Sequence, residues 1–182
     1  TVYLCSGDKE GNMVSYIQSN YTEFGSGLVV PGTGIALHNR GNNFSLDKNH
    51  VNVVKPFKKP YHTIIPGFLC QNNEAVGAFG VMGAFMQPQG QLQVLTNLID
   101  FHMNPQEALD APRWQWIKGK EIQIESDINE EIVEGLRKKG HEITIMDDFT
   151  NMGKGEIILK NTETGSYVCA TEKRCDGCVA TW

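Results

Sequence analysis

No apolar run in this 182-residue chain approaches the roughly 18 residues that a membrane-crossing helix demands. No basic segment followed by an apolar one opens the sequence, so the chain is expected to carry no signal peptide of its own and to make no membrane contact. Basic residues are few. Lys and Arg number 16 against 21 Asp and Glu, and the net charge of −5 leaves no footprint for nucleic acid. Pro56 and Pro60 break up the short run Lys55, Lys58, Lys59, which reads as a solvated loop rather than a phosphate-binding patch. Cysteines are scarce and odd in number, at 5, 70, 169, 175 and 178, so complete internal pairing is excluded. Cys175 and Cys178 have the spacing of metal and redox sites, but no second pair or nearby histidine completes the four ligands zinc usually takes. Their reading is structural or incidental, with redox next and metal last. His38, His50, His102 and His141 form no ligand spacing either, so neither metal nor cofactor is expected. The unpaired thiols lean towards a cytoplasmic location, with export as the alternative. The glycan-acceptor patterns at Asn20 and Asn43 gain weight only under secretion.

Glycine is what the chain has in excess. Its 19 glycines, with 40% apolar and 20% charged residues, suit one medium-sized α+β domain rich in tight turns. Residues 2–5 and 13–19 flank the turn-forming stretch 8–12 and predict a hairpin. Gly25, Gly27, Gly32 and Gly34 predict strands alternating with sharp turns. Residues 64–69 and 75–79 predict another strand pair across 71–74. Leu92, Leu95, Ile99 and Met103 then recur at helical spacing, predicting a helix over 88–103. A short helix follows, capped by Asn104, Pro105 and Glu107 and closed by Pro112. After a strand at Glu121–Glu125, Asp127 and Glu130 predict a capping box. The helix they start carries a buried stripe at Ile128, Ile132, Val133 and Leu136, and Gly140 just past its end. Strands at Glu142–Met146, 156–160 and Tyr167–Thr171 complete a layered α/β arrangement. The first half has strands but few helices to cover them, so either one face is solvated or another chain covers it.

The first residue is threonine. Methionine removal, an artificial boundary and internal cleavage could each produce such a start. The last has a specific chemistry. A threonine hydroxyl is a poor nucleophile near neutral pH, but an amino group on the same residue, with a reference pKa of about 7.7–8.0, can take its proton and later return it. Small residues at Gly80-Val81-Met82-Gly83-Ala84, between a strand and a helix, could turn backbone N–H groups towards a reacting carbonyl. Alone, such a junction is more often structural.

Several segments occur in one order: Thr1, Asp8-Lys9-Glu10-Gly11-Asn12, Phe24-Gly25-Ser26-Gly27, Gly32-Thr33-Gly34-Ile35 and Asn42-Asn43-Phe44-Ser45. Lys59-Pro60, Pro66, Gly80 to Gly83, Asn97-Leu98-Ile99-Asp100, Asp110-Ala111-Pro112-Arg113, Met152-Gly153 and Asp176-Gly177 continue it. This ordered set resembles the small subunit of gamma-glutamyltransferases, members of the N-terminal nucleophile hydrolases, and covers nearly the whole chain. The stretch 82–90 is most similar to the divergent transferase-like and cephalosporin-acylase-like members. The resemblance implies that residues 1–182 form the small subunit of a self-processed precursor. Its fold would be a four-layer αββα sandwich shared with a large subunit from that precursor, and it leaves room for a dimer of heterodimers. It further implies that Thr1 attacks a small-molecule γ-glutamyl or related amide to give an ester, which water or an acceptor amine resolves.

Residue by residue, Ser19 matches the hydroxyl that hydrogen-bonds the nucleophile, and Gly83 and Ala84 match the oxyanion-hole pair. The family has glycine at both, so Ala84 fits only if its φ is negative. The substrate contacts diverge. An asparagine and a serine pair are matched by Tyr21 and by His62 with Thr63, and a glutamine and an aspartate by Arg40 and Asn43. Lacking a carboxylate at Asn43, the site is expected to handle free γ-glutamyl amines poorly and to favour anionic or N-acylated substrates. Each position also has a plain structural reading: Ser19 as a sheet hydroxyl, Tyr21 as packing, Arg40 and His62 paired with surface groups. Arg113 is expected to form a buried salt bridge rather than to act in catalysis. A cephalosporin-type or other N-acyl amide acylase, or an inactive member that kept the fold, are the alternative functions.

Overall fold

The computed structural model describes residues 1–181. The glycine-turn chemistry at the start produces the expected hairpin: β1 (Val2–Gly7) pairs antiparallel with β2 (Met13–Gln18), Tyr3 opposite Ile17 and Leu4 opposite Tyr16. A second hairpin, β3 (Gly67–Gln71) and β4 (Glu74–Met82), closes through Asn72 and Asn73, whose φ values of 53 and 64 give the doubly left-handed turn that matches strand twist. β3 begins later than its apolar pattern suggests because Pro66 has no N–H to give a ladder. β4 continues into β8 (Lys154–Lys160) and β9 (Tyr167–Thr171), making a four-stranded antiparallel sheet in the order β3-β4-β8-β9.

This sheet has two buried faces. Phe79 and Val81 of β4, with Ile157 and Ala170, meet Val94 of α1 (Met86–Ile99) and Ala108 and Leu109 of α2 (Pro105–Asp110). On the other face Gly80 lies against Tyr3, whose ring would stand 2.8 Å from an added Cβ, so only glycine lets the first hairpin approach this closely. The layers are therefore helices, sheet, hairpin. A smaller unit holds β5 (Trp114–Lys118), β6 (Glu121–Glu125), α3 (Glu130–Lys138) and β7 (Glu142–Met146). β6 and β7 are parallel, and Ile122, Ile124 and Val133 form their core.

Several expectations are corrected. The segment around Gly25 to Gly34 holds no strand, only an isolated bridge between Val29 and Ala36. α1 starts two residues before Pro88, which occupies the first turn, where its missing N–H costs nothing. α3 is capped by Asn129, which accepts from the Glu131 N–H at 2.8 Å, while Asp127 pairs instead with Lys173 at 3.2 Å. β5 was not expected, since its sequence lacks a clean alternation. Its outer edge is satisfied by helix side chains. Gln89 exchanges hydrogen bonds with Trp116 N–H and C=O at 2.7 and 3.1 Å, and Gln93 does the same with Trp114 at 3.1 and 2.8 Å. Gln106 of α2 likewise meets both backbone groups of Thr171 on β9. The capping box of α2 forms as expected.

Buried charge joins these units. Arg113 Nη2 lies 2.7 Å from Glu172 Oε2, Arg174 Nη1 2.6 Å from Glu172 Oε1, and Arg174 Nη2 2.5 Å from Glu125 Oε2. The Arg113 backbone N–H closes the ring by donating to Glu125 at 3.0 Å. Burial pulls the Arg113 guanidinium below its usual value while Glu172 pulls it back. The structural role expected of Arg113 is borne out. Arg113→Met should destabilise the fold by about 3–5 kcal/mol, because Glu125 and Glu172 are then left inside the core with Arg174 as their one cation. Removing the half-exposed Arg137–Glu134 pair should leave the denaturation midpoint nearly unmoved, and equal shifts in the two variants would contradict this ranking.

Candidate active site

Thr1 directly precedes β1, so strand pairing sets the direction in which its side chain leaves the sheet. Its Oγ1 lies 2.7 Å from the Ser19 hydroxyl, which follows β2 directly across the hairpin. Ser19 Oγ also accepts the Tyr21 N–H at 3.0 Å. Holding that bond puts Tyr21 at φ 78, a left-handed conformation costly for a bulky residue. The Tyr21 phenol donates to Asn43 Oδ1 at 2.8 Å, and the Arg40 guanidinium lies over its ring, 5.3 Å from the centroid. Arg40 and Asn43 begin and end one 3₁₀ turn, and residues three apart in such a turn share a side.

Thr1, Gly83 and Ala84 line one cleft of about 530 Å³ together with Met82, Phe85, Gln115, Gln123, Thr150, Asn151, Gly153 and Lys154. Neither the Gly83 nor the Ala84 N–H has an acceptor among the described residues. Gly83 takes φ 146 and Gly153 φ 84, and the two pack so closely that a Cβ on Gly83 would stand 3.1 Å from the Gly153 Cα. Ala84 departs from its expectation. Its φ is 49, so its methyl is accommodated under strain of order 1–3 kcal/mol rather than by a negative φ.

The expected residues therefore fall into three groups. Thr1, Gly83 and Ala84 line the cleft, and Ser19 is bonded to Thr1; Tyr21, Arg40 and Asn43 form a cluster joined to Thr1 through Ser19. His62 and Thr63 join neither by hydrogen bonds among the described residues. The His62 Nδ1 accepts from Ile64 N–H at 3.3 Å, and Thr63 is buried. The far wall, with Gln115, Gln123, Asn151 and Lys154, was missed. Only Met152-Gly153 hinted at it, as part of the resemblance. The thiols offer no rival nucleophile inside the layers. Burial, then Glu156, pushes Cys5 up to about 12, and burial also raises Cys175, the opposite of a reactive thiol.

The family model described as gamma-glutamyltranspeptidase matches residues 1–182. The chain belongs to that family. It is 36% identical over 182 residues to the glutathione hydrolase-like YwrD proenzyme of Bacillus subtilis (strain 168), covering 97% of this chain and 35% of the relative. Among solved structures, cephalosporin acylase from Bacillus halodurans is 57% identical with a TM-score of 0.93, covering 99% of this chain and 34% of that one. A gamma-glutamyltranspeptidase from Pseudomonas nitroreducens, at 23% identity, shares the fold over the whole of both chains with a TM-score of 0.85. The α+β architecture is thus that of this N-terminal nucleophile hydrolase family. The chain spans about 35% of the length of that curated relative.

Ala84→Gly should stabilise the protein by about 1 kcal/mol, since glycine adopts the same φ without penalty. Chemical denaturation checks this, and a lower midpoint would show that the methyl contributes more by packing than it costs by strain.

Proposed function

We propose that this chain is the nucleophile-bearing small subunit of an amide hydrolase or acyl transferase, with Thr1 as both nucleophile and base. The observation that carries the reading is the Thr1 Oγ1 to Ser19 Oγ contact of 2.7 Å beside the cleft lined by Gly83 and Ala84. The Thr1 amine takes the hydroxyl proton as Oγ1 bonds to the amide carbon. The carbonyl oxygen gains charge and is met by the N–H groups of Gly83 and Ala84, which have no other partner among the described residues to release first. The C–N bond then breaks, the leaving nitrogen takes the proton held by the Thr1 amine, and an ester remains on Thr1. Water or an acceptor amine attacks the ester, gives its proton to the same amine, and restores Thr1. Ser19 is a positioning residue in this scheme, because it orients Oγ1 without touching the substrate.

The relatives' names, a glutathione hydrolase-like proenzyme and a cephalosporin acylase, support amides of acyl groups in that range as substrates. The word proenzyme supports release of the Thr1 amine by cleavage of a precursor, with a large subunit from that precursor as partner. The surface supports such a partner too. The chain exposes 11988 Å², where a folded monomer of its mass would expose about 8,800 Å². Val2, Leu4, Val14 and Tyr16 form an uncovered apolar face on the hairpin, and Leu46, Val51 and Phe57 project from the loop beyond it.

Thr1→Ala in the precursor should leave the polypeptide uncut and abolish turnover, read by intact mass and amide hydrolysis. Continued self-cleavage with alanine there would remove the basis of the mechanism. In the processed protein Ser19→Ala should lower kcat by roughly 10–100-fold with KM within about twofold. Ser19→Thr, keeping a hydroxyl, should recover most of that loss. An unchanged kcat in the alanine variant would leave Ser19 a sheet hydroxyl only.

A further inference from the structure

The far wall of the cleft carries polar side chains that the protein itself leaves unused. Gln115 of β5 and Gln123 of β6 are paired across the ladder, so they share one face of the small sheet, while Ile122 and Ile124 hold the other against α3. Lys154 opens β8 opposite Met82, the residue before Gly83, so strand register sets it beside Gly83 and Ala84 in the same cleft. Asn151 directly precedes the two carbonyls, of Met152 and Gly153, that Arg113 holds. Among the described residues, the side chains of Gln115, Gln123, Asn151 and Lys154 take part in no hydrogen bond, and Lys154 in no ion pair. Thr150 differs, since its hydroxyl is bonded to Asp148. No aspartate or glutamate lines the cleft. Glu156, two residues further along β8, accepts from the Thr171 hydroxyl at 3.1 Å instead of pairing with Lys154. Lys154 is half-buried, so water and salt screen its charge less than they would at an open surface.

Ser19 and the Tyr21 cluster, whose Asn43 Nδ2 is buried without a partner, line none of this cleft. Thr1 therefore stands between two differently equipped regions. During turnover the amine must depart, and water or a second amine must enter, while the acyl group stays joined to Oγ1. The cleft meets that requirement: Ala84, Phe85 and Asn151 are exposed along it, and its volume of about 530 Å³ suits a small molecule. An ammonium among neutral amides, with no carboxylate to balance it, is a receptor for an anion. A cation placed there would be repelled. We infer that Lys154, with Gln115 and Gln123, forms a leaving-group subsite, and that the amine it releases carries a carboxylate. This rests on the reading of Thr1 as nucleophile. Lys154 binds the carboxylate, and the two glutamines, each able to donate and accept, meet the polar groups between it and the scissile nitrogen.

The full-length processed protein tests this with p-nitroanilides of one acyl group, glutaryl or γ-glutamyl, bearing either a carboxylate or a carboxamide meta to the amide nitrogen. Intrinsic reactivity cancels when the acid-to-carboxamide ratio of kcat/KM is compared between proteins. Lys154→Gln should lower that ratio by at least about tenfold. In the unsubstituted protein, raising salt from about 0.05 to about 0.5 M should lower the same ratio severalfold, a readout that stands even where the variant does not fold. A ratio that the folded variant or the salt leaves unmoved would overturn the inference, as would turnover of neither acid. So would a ratio that changes with the acyl group and not with Lys154, which would put the anion's partner elsewhere. Acylation by p-nitrophenyl acetate, whose leaving group is no amine, separates the two readings. A hydroxylamine-labile acetyl on Thr1, found together with an unmoved ratio, sinks only the subsite. Absence of that ester sinks the nucleophile itself.

Discussion

The ring formed by Arg113, Glu172, Arg174 and Glu125 is the constraint on which the rest of the molecule depends. Two cations and two anions are buried together, so none can leave without stranding an opposite charge in a low-dielectric interior. The ring gathers segments far apart in the chain: the start of β5, the end of β6, and the tail beyond β9. Others of its donors hold the carbonyls of Leu109 and Ala111 at the end of α2. They also reach the cleft. Arg113 Nη1 donates to the carbonyls of Met152 and Gly153 at 3.1 and 2.9 Å, and Gly153 is the residue packed against Gly83. The wall behind the two free N–H groups is therefore as rigid as the ion pairs that anchor it.

The opposite wall is built differently. The first hairpin gives its inner face, with Tyr3 and Ile17, to the four-stranded sheet, and its outer face is apolar and bare. The strand that carries Thr1 is thus packed on one side only. In the proposed assembly, covering the outer face and presenting the hydroxyl in a fixed direction become one event, so a loose interface would show itself as poor chemistry rather than as a missing site. The strained conformations at Tyr21 and Ala84 belong to the same arrangement: Ala84 lines the cleft, and Tyr21 is held by Ser19, the hydrogen-bond partner of Thr1.

Much of this was legible in the residues. Period-two and helical patterns found β1, β2, β4, β6 to β9 and the helices, and Asn104 with Glu107 announced the cap of α2. What escaped depends on distant partners. β5 reads poorly because helical glutamines, not a neighbouring strand, satisfy its edge, and Asp127 was drawn from its cap by Lys173, which follows much later in the chain. At the candidate site, the ordered motifs and the residue-by-residue resemblance pointed to Thr1, Ser19, Gly83, Ala84, Tyr21, Arg40 and Asn43. They could not supply the φ of Ala84 or the orphaned amide of Asn43, since both follow from three-dimensional closure. The far wall of glutamine, asparagine and lysine side chains carries no local signature at all.

The glutamine bonds along β5 set a limit of their own. Four residues of helix rise about 6.0 Å and two of strand about 6.6 Å, so the spacings of Gln89 to Gln93 and of Trp116 to Trp114 nearly coincide. A third rung would need residue 97 against residue 112, but Pro112 has no N–H to offer, and Asn97 turns instead to the Ala108 carbonyl. The ladder has two rungs and nowhere to slip to, because moving α1 by a single residue would carry both amides off their marks. Gln115 sits between those rungs and faces the cleft, opposite the residues that lead into α1. The two rungs therefore set the position of Gln115 relative to Ala84 and Phe85 across the cleft.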